Sequence, residues 1–286
     1  METNRIVIGI HGLSNKPPRE TLETDWKKAI QEGLQRNEGR TAGDIPFELV
    51  YWRDWNYPNP KTLAEIDEPY RRAHGDDPLP TYKDGFWDTL RAEASELGGG
   101  ASDWLKQRFG VSTEIIDQVL GLKFRDLALY YDDDTKREDL RSRFAKAVQK
   151  HAGKRIMVIA HSMGSIVAYD VLRELGQSSP QLEVGHCLTI GSPLGLPYVK
   201  YKIASENDRV RTPTVVRKWT NLADRRDLVA ADTHLSDDFG PNVSGVQVRD
   251  DLVLNGYVSP AGKPNYHKIY GYLRTPELSA LLRDFM

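Results

Sequence analysis

Arg155-Ile156-Met157-Val158-Ile159-Ala160-His161-Ser162-Met163-Gly164-Ser165-Ile166-Val167-Ala168 is the stretch whose reading decides the fold. Residues 156–160 are apolar without alternation and rich in β-branched side chains, the pattern of a strand buried on both faces. From Met163 apolar residues recur at helical spacing as far as Leu175, and Gly176 stands where a helix stop is expected. Between strand and helix lies Ala160-His161-Ser162-Met163-Gly164. A strand that turns at once into a helix brings two backbones close together. Small residues are therefore needed two before and two after the serine, and Ala160 and Gly164 supply them. Such a bend is sharp and strained, and it pushes the serine hydroxyl out above the sheet. The helix start also sets backbone N–H groups and a positive dipole end beside that hydroxyl.

Outward from this turn the same grammar repeats. Arg5-Ile6-Val7-Ile8-Gly9-Ile10 reads as a buried strand ending at His11-Gly12. After a polar loop at 14–19, Leu22, Trp26, Ala29, Ile30 and Leu34 mark one face of a helix, with Thr21 as its N-cap. Residues 46–52 read as a second strand, and 184–190, 215–219 and 245–248 as further ones. Thr135 and Glu138 form a capping box ahead of Leu140, Phe144, Ala147 and Val148. Pro276 opens a last helix carrying Leu278, Leu281, Leu282 and Phe285. Strands alternating with helices imply an α/β fold, a mostly parallel central sheet with helices on both faces. Periodicity fails only over 53–127, where Trp55, Tyr57, Tyr70, Tyr82, Phe86, Trp87, Trp104 and Phe109 stand among prolines and charges, interrupted by Gly98-Gly99-Gly100. This stretch reads as a partly helical lid or cap inserted into a single domain spanning 1–286.

Composition narrows the field. The chain has 286 residues, 39% apolar and 28% charged, which suits a globular protein with a large core. A net charge of −2 gives no basic surplus for nucleic acid or acidic membranes. Cys187, the single cysteine, excludes an internal disulfide and reads as a core thiol within Cys187-Leu188-Thr189-Ile190. No apolar run reaches a membrane span and no signal peptide is visible at the N-terminus, so a cytoplasmic protein is expected.

Taken with its flanks, Ala160-His161-Ser162-Met163-Gly164 resembles the nucleophile elbow of α/β-hydrolases of the lipase and esterase kind, with alanine in place of the usual first glycine. The resemblance covers 5–50 and about 135–286. It implies an α/β-hydrolase fold and a serine nucleophile at Ser162. His11-Gly12-Leu13 matches the family's oxyanion loop, which implies oxyanion donors at the N–H groups of Leu13 and Met163, with His11 and Gly12 as loop supports. Asp227, followed by Leu228-Val229, best matches the family's acid, with Asp224 as its rival. His267, ahead of the last helix, matches the base in the order serine, acid, histidine. His234 also follows the acid but stands too soon after it.

What the resemblance implies chemically is hydrolysis of a small-molecule carboxylic ester with an apolar or aryl group, through an acyl-serine and without a cofactor or metal. An acyltransferase would use the same residues, and a non-catalytic binding module would keep only the fold. Asp132-Asp133-Asp134 and Asp237-Asp238 lack the spacing of a calcium loop and read as solvated carboxylates. Gly191-Ser192-Pro193-Leu194-Gly195 reads as a pocket wall, with Ser192 a non-catalytic residue. Substrate identity and oligomeric state are not encoded legibly.

Overall fold

The apolar run at 6–10 forms the strand on which the sheet is built. The computed structural model describes residues 4–40, 45–66, 68–81, 127, 129–207, 209–230 and 232–286. Among them are strands β1 (Arg5–Ile10), β2 (Phe47–Val50), β3 (Arg155–His161), β4 (His186–Ile190), β5 (Trp219–Ala223) and β6 (Val248–Leu252). They form one six-stranded sheet in the order β2-β1-β3-β4-β5-β6. Every pairing is parallel. The helices described in full are α1 (Arg19–Glu38), α2 (Asp134–Lys150), α3 (Met163–Ser178), α4 (Pro197–Glu206), α5 (Ile269–Tyr272) and α6 (Pro276–Phe285).

Strand alternation sorts the core. Val7, Met157, Ile159, Leu188, Ile190 and Leu222 join Trp26 and Ile30 of α1 and Leu278 and Leu282 of α6 in one buried cluster. Ile6, Ile8, Ile156 and Val158 alternate with these, are equally buried, and face the other side, where α2 packs on α3. Both sheet faces are therefore covered, which is why the central strands read as unbroken apolar runs. From β1 the chain first adds β2 on one side and later β3 on the other. This reversal opens a crevice at the carboxyl ends of β1 and β3, the place where open α/β sheets bind ligands.

Several boundaries depart from the sequence reading for identifiable reasons. The fifth strand is Trp219–Ala223 rather than 215–219, and its polar residues disguised it. Thr220 pairs with the His186 ring at 2.9 Å, and Asn221 accepts from Thr189 and donates to Asp250, both at 3.0 Å. β6 runs Val-Arg-Asp-Asp-Leu rather than 245–248. It ends the sheet, and its charges suit an unpaired edge. Gly176 does not end α3, which continues to Ser178. Glycine is needed there because a Cβ would run into the Thr214 hydroxyl. α1 begins at Arg19 after Pro18, so Thr21 lies inside it, and α2 begins at Asp134, one residue before the expected cap.

The chain divides into two compact units, 1–81 with 134–286, and 82–133. Residues 53–81, expected as part of the insertion, belong to the first unit. They carry little regular structure but are tied down by a buried ion cluster. Glu32 on α1 accepts from Arg36 at 3.2 Å, the Tyr70 hydroxyl at 2.9 Å and the Ala73 N–H at 2.8 Å. Arg274 joins it at 3.5 Å. Of the aromatics expected in the insertion, Tyr82, Phe86, Trp87, Trp104 and Phe109 lie outside the described residues, as does Gly98-Gly99-Gly100. Among the described residues no helix is long and apolar enough to cross a membrane.

Gly33 sets the distance between α1 and the C-terminal segment, because a Cβ there would stand 2.8 Å from Arg274 Cα and 2.9 Å from Ser279 Oγ. Glycine-to-alanine in a helix interior ordinarily stabilises by about 1 kcal/mol. Gly33→Ala should instead destabilise by about 1–3 kcal/mol, since backbone rather than a mobile side chain must move. Denaturant unfolding of the two proteins measures the sign.

Candidate active site

The bend after β3 is as tight as the sequence implies. Ser162 adopts φ 55° and ψ −133°, a left-handed conformation that costs a non-glycine residue about 1–3 kcal/mol. Its N–H donates to Ile190 O at the end of β4, 3.1 Å away. Gly164 lets α3 start against β1, since a Cβ there would lie 2.7 Å from the carbonyls of both Ile10 and His11. Gly12 lets the loop after β1 reach the serine, where a Cβ would lie 2.5 Å from Ser162 Cβ and 2.9 Å from its Oγ. Gly12 is thus fixed by space, and the positive φ in this loop belongs to Ser14, at 79°.

His11 orients that loop. Its Nε2 accepts from the Trp52 N–H at 3.0 Å, so Nδ1 carries the proton and donates to Gly12 O at 2.8 Å. The ring stacks on Trp52 with centroids 4.9 Å apart. Burial, helped by the Lys16 charge, pushes its pKa down to about 3, so it is a neutral support. A trans peptide is planar, with C=O and N–H opposed. Turning the Gly12 carbonyl toward His11 therefore turns the Leu13 N–H away from it. Met163 is the first residue of α3, and its N–H has no intrahelical acceptor.

The structure brings Ser162, His267 and Asp227 into one hydrogen-bonded row. His267 Nε2 lies 3.0 Å from Ser162 Oγ, and His267 Nδ1 lies 2.7 Å and 2.9 Å from the two Asp227 oxygens. The Asp227 side chain is fully buried, while 18% of the His267 side chain is exposed. Asp227 also accepts from the Val229 N–H at 2.9 Å and the Tyr272 hydroxyl at 2.8 Å. Burial, with the Asp227 charge in front of it, holds the Tyr272 phenol far above its ordinary range, so it remains a donor. Gly191, φ 53°, closes over this pair, because a Cβ would stand 2.8 Å from Asp227 Oδ2 and 3.3 Å from His267 Nδ1.

The other candidates go elsewhere. Asp224 is engaged by Arg226, through Nε at 2.9 Å and Nη2 at 2.6 Å, and by the Asn255 N–H at 2.6 Å. It shapes the turn, since Asp227 N–H donates to Asp224 O at 2.8 Å. His234 is exposed and pairs with the neighbouring Thr233 hydroxyl at 3.0 Å. Ser192 bonds the Ser165 hydroxyl at 2.7 Å, and Ser165 in turn donates to Ser162 O at 2.5 Å, so Ser192 braces the bend from below. Burial lifts the Cys187 thiol to about 12, as expected of a core cysteine. Asp237 and Asp238 meet Asp232, but the Lys200 ammonium already faces these carboxylates, 2.6 Å from Asp238 and 3.8 Å from Asp232.

Sequence reasoning missed Tyr272 and Asn255, and took Gly191 only as part of a pocket wall. Asn255 donates from Nδ2 to Tyr266 O at 2.8 Å and to Lys268 O at 2.9 Å. Tyr272, read in isolation, is one more apolar residue near the last helix, and nothing in its spacing signals the carboxylate. A glycine directly after an apolar strand was the one available hint for Gly191.

A family model described as alpha/beta hydrolase of unknown function (DUF900) matches residues 131–192, which hold α2, β3, the bend, α3 and β4. No curated protein matches the chain.

Two predictions follow from this geometry. Ser162→Gly should be more stable than Ser162→Ala by about 1–2 kcal/mol, because both lack the hydroxyl but only glycine relieves the backbone strain. Thermal unfolding compares them. Separately, His11 and His186, whose pKa burial pushes down to about 4, are neutral when folded. The unfolded chain protonates both near pH 6.5, so it binds more protons below that pH. Stability should fall as pH drops from about 6.5, by up to about 1.4 kcal/mol per pH unit for each ring. Denaturant titrations at pH 7.5 and 5.5 measure the loss, and His186→Gln should remove its share.

Proposed function

From a parallel sheet consistent with the α/β-hydrolase fold and the match of residues 131–192 to an alpha/beta hydrolase family model, we propose that the chain is a serine hydrolase of small carboxylic esters that works through an acyl-serine. The observation that carries this reading is the row from Ser162 Oγ through His267 to Asp227, with steps of 3.0 Å and 2.7 Å, starting on a strained bend at a sheet crevice.

In this reading His267 Nε2 takes the Ser162 proton as Oγ attacks the ester carbonyl. The carbonyl π electrons pass to oxygen, and the N–H groups of Leu13 and Met163 hold the resulting oxyanion, each donor contributing about 10²–10³ in rate. The tetrahedral intermediate collapses, the alcohol leaves with the proton from His267, and an acyl-serine remains. Water then repeats the sequence through the same base and releases the carboxylic acid. Asp227 stays ionised throughout and fixes the His267 tautomer, with Tyr272 and the Val229 N–H sharing its charge. The chain's own residues complete this cycle. An apolar acyl or aryl group is the favoured substrate, in view of the aromatic residues over 53–127, since aromatic side chains offer broad apolar walls. A cytoplasmic location remains part of the proposal.

Hydrolysis of p-nitrophenyl acetate tests the reading. Ser162→Ala should abolish turnover above background. Asp227→Asn should lower kcat by about 10⁴, as loss of the acid does in hydrolases with such a row. Asp224→Asn should lower stability instead. In the native protein kcat/KM should fall with unit slope on the acid side of the profile, because the base must be neutral. Turnover that survives Ser162→Ala, or a flat profile between pH 5 and 8, would overturn the proposal.

A further inference from the structure

Ser162 and Asp227 are held by regular structure and a tight turn. His267 is different. It lies in a loop ahead of α5, yet its ring must meet a hydroxyl on one side and a carboxylate on the other. Useful geometry of this kind has to be kept within about 0.5 Å. Asn265, held by Glu68 at 2.7 Å and 2.8 Å, is one anchor of this loop, and a fully buried side chain on the other side is a second. Asn255 Nδ2 spends its two protons on the carbonyls that flank the histidine, Tyr266 O at 2.8 Å and Lys268 O at 2.9 Å. Its Oδ1 accepts from the Tyr257 N–H at 3.1 Å. Its own N–H donates to Asp224 Oδ2 at 2.6 Å, in the turn that carries Asp227.

The remaining polar groups of the histidine are held by single bonds. His267 N–H donates to Asn265 Oδ1, and His267 O accepts from His161 Nε2, both at 3.0 Å. Asn255 grips the carbonyls on both sides of His267 and is anchored to the acid's turn at the same time. The space for it is reserved as well, since any Cβ on Gly271 would overlap Asn255 Oδ1. Side chains of the same size do not meet these demands. Aspartate has no donors for the two carbonyls, and leucine has no polar atoms at all.

We propose that Asn255 is the positioning residue for His267, setting the angle and distance of the imidazole to both Ser162 and Asp227. This rests on the serine-hydrolase reading only for its kinetic consequence. The geometric consequence stands apart from it, and the test uses both.

Asn255→Ala deletes the amide, and Gly271→Ala drives it from its seat. In each folded variant kcat for p-nitrophenyl acetate should fall about 100-fold, the cost of a misplaced reacting group, with KM changed less than about twofold. The acid side of the pH profile should shift as well. By NMR the His267 Nδ1 proton signal of the native protein should move or vanish in both variants. The double variant should be no worse than either single one, because the new methyl group enters the space the amide has left. Folded variants with rates within about threefold of native and an unchanged His267 ring signal would overturn the proposal. So would failure of both variants to fold, which would make Asn255 a residue of the fold alone. If the native protein hydrolyses no ester, the ring signals decide. A shift then supports the bracket while the hydrolase reading fails, and no shift overturns the bracket too.

Discussion

The architecture around the site depends on one backbone constraint, the passage from β3 to α3 through a single residue. Ser162 accepts a left-handed φ of 55° so that the strand can end and the helix begin without a loop. The strain is repaid by close packing on three sides. Gly164 admits α3 against the carbonyls of β1, Gly12 admits the following loop against the serine, and Ser165 and Ser192 brace the bend from within. A side chain added at either glycine would collide with backbone or with the serine itself. The result is a hydroxyl raised at the point where the strand order reverses, flanked by the first N–H of a helix.

A second layer of order concerns charge. Two aspartates three residues apart share one turn and have opposite surroundings. Asp224 is neutralised by Arg226, whose guanidinium also lies 4.0 Å above the Tyr266 ring. Asp227 instead accepts from the Val229 N–H, the Tyr272 hydroxyl and the His267 ring. A buried carboxylate so placed favours an imidazolium beside it, whereas one already paired with arginine does not. The local environment, rather than position in the chain, separates the structural acid from the candidate functional one.

Much of this was legible in the sequence because the central strands are buried on both faces. β1 and β3 announce themselves as apolar runs, and the serine between small residues is legible for the same steric reason that creates the bend. What escaped lies where polar side chains satisfy one another. Thr220 and Asn221 concealed β5 because their partners, His186, Thr189 and Asp250, come from neighbouring strands. Gly176 looked like a helix stop because its reason, the Thr214 hydroxyl, comes from a distant part of the chain. Asn255 and Tyr272 carry no local pattern at all, since each is explained only by groups brought to it in three dimensions. Asp224 and Asp227 were separable in sequence only by the aliphatic residues after Asp227, and their hydrogen bonds give the physical difference.

The most direct test of the central claim is chemical and needs no knowledge of the natural substrate. The native protein is treated with a fluorophosphonate, digested with trypsin and mapped by mass spectrometry. The account predicts one adduct, on Ser162 within the peptide 156–173, and its suppression when the protein is unfolded before treatment. An adduct on Ser165, Ser192 or any other residue in place of Ser162, or no adduct on the folded protein, would contradict it.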